Sequence, residues 1–391
     1  MIPYDNFSFF LWLLIPVVPA IMLGLAQASP RFRSLWIMHS SIGLLYFILS
    51  PRTFFIQSVV YFIWEYAIVL NYLRYRQSGT KENLASVFYL AVAGSLLPLL
   101  LVKFVPLLGL MTSVWNSFLG FLGISYVTFR ILGTVIEIRD GLIKEVNLGD
   151  FISFVLFFPT LASGPIDRYR RFLADLRKIL PRQEYIGYMI EGLEYVFRGF
   201  LYKFIIAYLI NQYALVPLNH ARGLWSTVQY MYVYSAYLFF DFAGYSAFAI
   251  GVSLFYGIKT PENFKAPFWS KNIKDFWNRW HISLSMWFRD YIYMRFALDS
   301  AKKKRFNNRY VASAVGYLLL FLLMGIWHGT QWHYIVYGLY MALMMVGFEF
   351  LERLNKQKHF WGEGKAWDML ARFFTLQFIC FGLLIFSGRL L

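Results

Sequence analysis

Cysteine is nearly missing from this chain: Cys380 is the one cysteine in 391 residues, and it sits inside an apolar run. A lone cysteine makes no disulfide within the chain, and a thiolate in apolar surroundings is poorly solvated, which disfavours a cysteine nucleophile. Acidic residues are scarce too, with 21 against 37 lysines and arginines, leaving a net charge of +16. The motifs of soluble enzymes are also lacking. There is no HExxH, no GxSxG, no Walker loop, no CxxC and no dinucleotide glycine pattern. Zinc hydrolysis, ATP-driven work and hydride transfer therefore have no support in the sequence.

What is abundant is apolar and aromatic: 59% of the residues are hydrophobic and 21% aromatic, far from the composition of a soluble globular protein and close to that of a polytopic membrane protein. A bilayer-spanning helix needs roughly 20 mostly apolar residues. Such runs occur near 7–26, 35–50, 54–73, 84–102, 112–136, 190–216, 225–257, 311–327, 330–351 and 367–387. The 225–257 run is long enough to be broken, and 97–136 has room for an extra short helix. The expectation is an all-α membrane protein with about 10–12 transmembrane helices. A β-barrel does not fit, because the runs are continuous rather than alternating. No repeat or long linker divides the chain, so one membrane domain over 1–391 is the simplest reading.

A large positive charge usually suggests nucleic acid, but here it lies in short loops between apolar runs, as the positive-inside rule describes. Arg168, Arg170, Arg171, Arg177, Lys178 and Arg182 fall in 166–184, with further clusters in 302–309 and 353–365. All three loops are expected to be cytoplasmic, and counting back through Arg74/Arg76 and Arg31/Arg33 puts the N-terminus outside. The first run has no basic flank and contains Pro16 and Pro19, so it reads as a retained helix. Residues 150–165 are short and end at Pro159 and Gly164 between two cytoplasmic flanks, which suggests a re-entrant hairpin buried in protein. After it, Tyr169, Phe172, Leu173, Leu176, Ile179 and Leu180 recur at helical spacing with basic residues opposite. That pattern suits an interfacial helix on anionic headgroups, and it is compatible with docking an acidic protein as well.

Two histidines stand out. His328, in GIWHGTQW between two strongly apolar runs, is an ionisable group near membrane depth, where such groups usually face a cavity and serve a function. Gly325 and Gly329 beside it permit close backbone approach or a local break. A neutral imidazole could take a proton from an attacking hydroxyl, or it could simply bridge two helices. His281 lies in DFWNRWHISLSMWFRDY. Read as one helix over 271–291, this stretch carries an apolar stripe (Phe276, Trp280, Leu284, Trp287, Tyr291) and a polar one (Lys274, Asn278, His281, Ser285, Arg289). The polar stripe should face a wet cavity or a partner, although His281 could merely hydrogen-bond a neighbouring backbone group. Asp241 sits deep in YLFFDFAGYSAFAIG and needs a partner: it could orient an imidazole or pair with an Arg or Lys of the 261–300 segment.

Taken together, FW-x-RWHISLSMWFRDY around His281, GIWHG around His328, DFAGYSAFAIG, NFKAPFWSKNIKDFW and SGPIDRYRRF resemble the membrane-bound O-acyltransferase family, in its D-alanyl-transferring bacterial branch. The likeness covers nearly the whole chain. One departure is that many bacterial relatives have a proline-leucine-glycine-glycine turn after the WFRDY helix, where this chain reads YIYMRFALDSAKKKR. The resemblance implies a ring of membrane helices, with re-entrant or interfacial helices, around a central funnel. His328 and His281 match the two motif histidines and would be catalytic; Asn278, Ser285, Asp241, Trp280 and Trp327 would line the funnel. It further implies D-alanine carried as a phosphopantetheine thioester on a small acidic cytoplasmic carrier protein, with Arg168, Arg171 and Lys178 docking that carrier. The phosphopantetheine belongs to the carrier, so no cofactor or metal is expected on this chain. Other implied partners are an extracellular-facing D-alanyl transfer protein, a small membrane peptide and lipoteichoic acid at the Gram-positive plasma membrane. Acetyl transfer to an exopolysaccharide such as alginate is the alternative within the same chemistry. A lipid or polymer transporter would be favoured by inverted repeats, and none is visible.

Overall fold

The computed structural model describes residues 3–49, 52–78, 83–104, 123–359 and 361–390. Among the described residues the regular structure is helical, and the β pairing is a single antiparallel bridge between Phe264 and Trp280. Helices dominate for the reason the composition implies: in hydrocarbon the backbone must satisfy its own hydrogen bonds. Seven described helices are long and apolar enough to cross a bilayer: Phe7–Leu25, Phe54–Gln77, Ala85–Phe104, Leu224–Phe255, Arg309–His328, Trp332–Lys358 and Lys365–Phe386.

The all-α polytopic class expected from the sequence is what the chain adopts; of the three expected spans not among these seven, two have a physical reason and the third lies partly outside the described residues. The 35–50 run belongs to Pro30–Ile48, a helix that also carries Arg31, Arg33 and His39. The 190–216 run follows a helical path interrupted by two π-helical stretches, Phe200–Ala207 and Asn211–Leu215. In 112–136 the described helix is Ile124–Arg139, whose 16 residues reach only about 24 Å. The rest of that run lies outside the described residues, as does most of the room for an extra helix in 97–136. The break anticipated in 225–257 does not occur: Leu224–Phe255 is continuous over 32 residues.

Contacts group the chain into two units, Met1–Gly199 with Tyr245–Pro261, and Phe200–Gly244 with Glu262–Leu391. In the first unit, the 150–165 segment forms the short helix Leu148–Val155 and a 3-10 turn, Phe158–Thr160. Eight helical residues rise only about 12 Å, too little to cross. Its irregular backbone is buried and needs donors, and Arg130 supplies them. The guanidinium, 2% exposed, donates to the carbonyls of Phe154 (3.0 Å), Val155 (3.1 Å) and Thr160 (2.7 Å), and to the Thr160 hydroxyl. Arg33 does the same elsewhere in this unit, donating to the carbonyls of Lys178 (2.6 Å), Tyr256 (3.1 Å) and Gly257 (3.2 Å). Sequence reading took neither arginine for a core residue.

The amphipathic helix runs Tyr169–Arg177. Its apolar face is buried on protein rather than left for lipid, with the Phe172 ring 5.5 Å from Phe154 and 5.2 Å from Phe157. The apolar stripe expected through Leu180 ends with the helix, so Leu180 is still buried but Ile179 is 58% exposed.

In the second unit, Arg309–His328 and Trp332–Lys358 form a close helical hairpin. A Cβ on Gly325 would lie 2.5 Å from the Tyr334 carbonyl oxygen, and one on Gly338 would lie 2.4 Å from that of Phe321. Only glycine allows the two backbones to approach this closely. The hairpin turn follows His328 directly and fixes that residue at the end of its helix.

Candidate active site

The segment expected to be one helix over 271–291 is two short helices, Ile273–Trp277 and Ile282–Phe288, followed by a π-helical turn, Arg289–Tyr293. The break falls at His281, whose backbone takes the left-handed conformation (φ 43°, ψ 52°). The cause lies in an upstream stretch that claims the backbone groups a continuous helix would need. Lys265 N donates to the Arg279 carbonyl (3.0 Å), Ile282 N donates to the Asn263 carbonyl (3.0 Å), and Phe264 bridges Trp280. Side-chain periodicity carries no trace of this competition.

The break gives His281 a defined place. The residue is 3% exposed, and its ring meets Phe242 edge-on at 4.7 Å, with the Trp327 ring 6.5 Å away. Burial, and then the nearby His328, push its pKa down to about 3, so the imidazole is neutral at physiological pH. Its Nε2 is buried without a hydrogen-bond partner among the described residues. Buried polar groups are usually hydrogen-bonded, so this nitrogen is open to a water, a ligand or a reacting group.

His328 closes its helix among aromatic rings: Phe386 edge-on at 4.9 Å, Tyr334 stacked at 6.1 Å and Tyr337 at 6.4 Å. The Trp327 ring lies 4.7 Å from that of His328, so one indole neighbours both histidines. The structure thus brings His281 close to Trp327 and His328, which lie far from it in sequence.

The other four members of the polar stripe do share a wall. Lys274, Asn278, Ser285 and Arg289 border a cavity of about 260 Å³ whose remaining sides include Trp277, Met286, Met324 and Met345. His281 is not on that wall, because the break turns it away. Ser285 Oγ donates to the Trp280 carbonyl (3.1 Å), and Lys274 pairs with Glu352 (2.8 Å). Trp280 is 6% exposed and packs among Phe264, Phe268 and Phe276, a core position rather than a place on the cavity wall.

Asp241 forms an ion pair with Lys203 at 2.6 Å. The structural pairing is the one of the two expected roles that appears, but its partner comes from the π-helical stretch Phe200–Ala207 and not from 261–300. In the first unit, Arg171 is engaged by Asp167, Asp175 (2.8 Å) and the Lys259 carbonyl. Arg168 precedes the Tyr169–Arg177 helix, and its backbone N–H donates to Asp167 (2.7 Å). Lys178 pairs with Glu184 and is about half exposed, as are Arg170 beside Glu137 and Arg177 beside Asp150.

With this geometry in hand, the known proteins narrow the chemistry. A family model described as membrane-bound O-acyltransferase matches residues 122–387. The chain is 48% identical to a teichoic acid D-alanyltransferase of Bacillus subtilis, over 100% of this chain and 98% of that protein. It is 42% identical to one of Lacticaseibacillus rhamnosus, over 99% and 97% respectively. A probable alginate O-acetylase of Pseudomonas putida is 36% identical, but over 56% of this chain and 43% of its own length.

Proposed function

The chain belongs to the membrane-bound O-acyltransferase family, and on that premise we propose that it transfers D-alanine toward teichoic acid. The observation that carries the substrate assignment is the likeness to D-alanyltransferases along the full length of both chains, whereas the acetylase relatives match little more than half of this one. The donor in this reading is a D-alanyl thioester on the phosphopantetheine of an acidic cytoplasmic carrier protein. The cavity bordered by Lys274, Asn278, Ser285 and Arg289 offers amide- and phosphate-binding groups on an otherwise apolar wall, a composition that suits such an arm. Carrier docking falls to the basic face around Arg168, Arg170, Arg177 and Lys178, while Arg171 holds the fold there.

In the reaction, the acceptor hydroxyl oxygen attacks the thioester carbonyl carbon, and His328 removes the hydroxyl proton. General-base help of this kind is typically worth about 10²–10⁴ in rate. His281, neutral and with Nε2 unpartnered, donates a hydrogen bond to the oxygen that gains charge. The tetrahedral intermediate then collapses, the C–S bond breaks, and the thiolate takes the proton from His328. The ester forms on the acceptor, which is teichoic acid or a partner that relays the group to it. Aromatic rings packed around the two histidines restrict the access of water, which protects the thioester from hydrolysis. The basic loops support a cytoplasmic donor side and so an extracellular acceptor side.

The substrate assignment is tested by offering membranes containing the chain either D-[14C]alanyl carrier protein or [14C]acetyl donors. Label from the D-alanyl carrier reaching teichoic acid supports the proposal. Label only from acetyl donors overturns it in favour of exopolysaccharide acetylation.

A further inference from the structure

We propose that Asn263 is a positioning residue for the reaction, holding His281 in its left-handed turn by capping the following helix in its place. This rests on the reading above in which His281 takes part in transfer.

A helix N-terminus leaves N–H groups without partners, and the N-cap residue's side chain normally accepts one of them. The Ile282–Phe288 helix has His281 at its N-cap, and the His281 side chain makes no such bond. Asn263 makes it instead. Its carbonyl oxygen accepts Ile282 N (3.0 Å), and its side-chain Oδ1 accepts both Ser283 N (3.3 Å) and Ser283 Oγ (2.6 Å). Asn263 is 1% exposed and Ser283 5%, so these bonds form away from water, where leaving them unmade is costly.

Two consequences follow for the imidazole. Because Asn263 does the capping, His281 is relieved of it, and its Nε2 stays without a partner among the described residues. The same three bonds also hold a conformation that a β-carbon disfavours, since non-glycine residues rarely sit at φ 43° unless their surroundings over-determine them. The next residue, Phe264, adds aim: its ring packs against Phe242 at 5.1 Å, and Phe242 is the ring on which the His281 edge rests. Asn263 thus sets the backbone, Phe264 buttresses the ring below, and the free nitrogen is left for the reacting group.

The test uses full-length chain in membranes with D-alanyl carrier protein as substrate. Asn263→Ala is expected to lower kcat by about tenfold to a hundredfold, the loss of one or two buried hydrogen bonds, with KM for the carrier within about twofold. Asn263→Asp, which keeps an oxygen to accept both Ser283 bonds, is expected to restore most of kcat. In a His281→Ala background, Asn263→Ala is expected to cost nothing further, because it acts through that imidazole. A wild-type kcat for Asn263→Ala, or a full additional loss in the His281→Ala background, overturns the proposal. Should Asn263→Ala fail to accumulate, Ser283→Ala removes one donor to Oδ1 and is expected to lower kcat in wild type but not beside His281→Ala; an unchanged kcat overturns the proposal equally. A wild-type rate for His281→Ala alone is a different failure, since it removes His281 from the reaction.

Discussion

At the scale of single residues, the two histidines differ in what the fold does to them. His281 is enclosed and neutral, while His328 is half-buried and ends a helix beside a turn. The folded pKa of His281, about 3, lies below its ordinary value of about 6.5. Stability tied to its neutral form is therefore fully present above that ordinary value and is lost as pH falls toward about 3. Histidine NMR on the purified, isotope-labelled chain should show no titration of His281 between pH 5 and 8. A midpoint inside that window would mean that the ring is open to water. Both histidines were legible in the sequence, because an ionisable residue between apolar runs is conspicuous. Asn263, Arg130 and Arg33 were not. An asparagine before Phe264 reads as loop, and an arginine reads as a solvated or loop charge until the carbonyls it serves are known.

At the scale of elements, apolar length identified most of the long helices, since hydrophobicity alone decides whether a run can span. It misjudged the stretches where backbone hydrogen bonds are diverted. Asp241 found its partner on a π-helical stretch, and the 271–291 helix broke at His281 because residues 263–265 upstream took N–H and C=O groups on either side of it. Polar spacing still had value, since four of the five stripe residues line one cavity. Arg130 is the sharpest case of an element held by a distant residue. Replacing it with Leu leaves three buried carbonyls without their donor, each worth about 1–3 kcal/mol. The thermal midpoint of the detergent-purified chain should fall by about 5 °C or more. Arg130→Lys should not recover it, because an ammonium lacks the planar fork that reaches several carbonyls at once. An unchanged midpoint for Arg130→Leu would show that the Phe154–Thr160 turn holds itself.

At the scale of the whole molecule, the family, the basic loops and the two histidines converge on group transfer in a membrane. The second unit supplies a cavity with cationic and amide-like edges and an aromatic setting for His328, and the first unit carries basic side chains such as Arg177. Composition and loop charge foretold the class and the broad chemistry. They could not foretell that Arg171 would be tied to two aspartates instead of facing outward, because which cations remain available depends on the packing of acids around them. The central claim is that His328 removes the acceptor proton. Its most direct test is the rate of D-alanyl transfer by His328→Ala in membranes, measured alongside carrier binding and thermal midpoint. The account predicts a fall of about 10²-fold or more in transfer with binding and midpoint retained. Transfer at the wild-type rate by a folded, carrier-binding His328→Ala protein would contradict it.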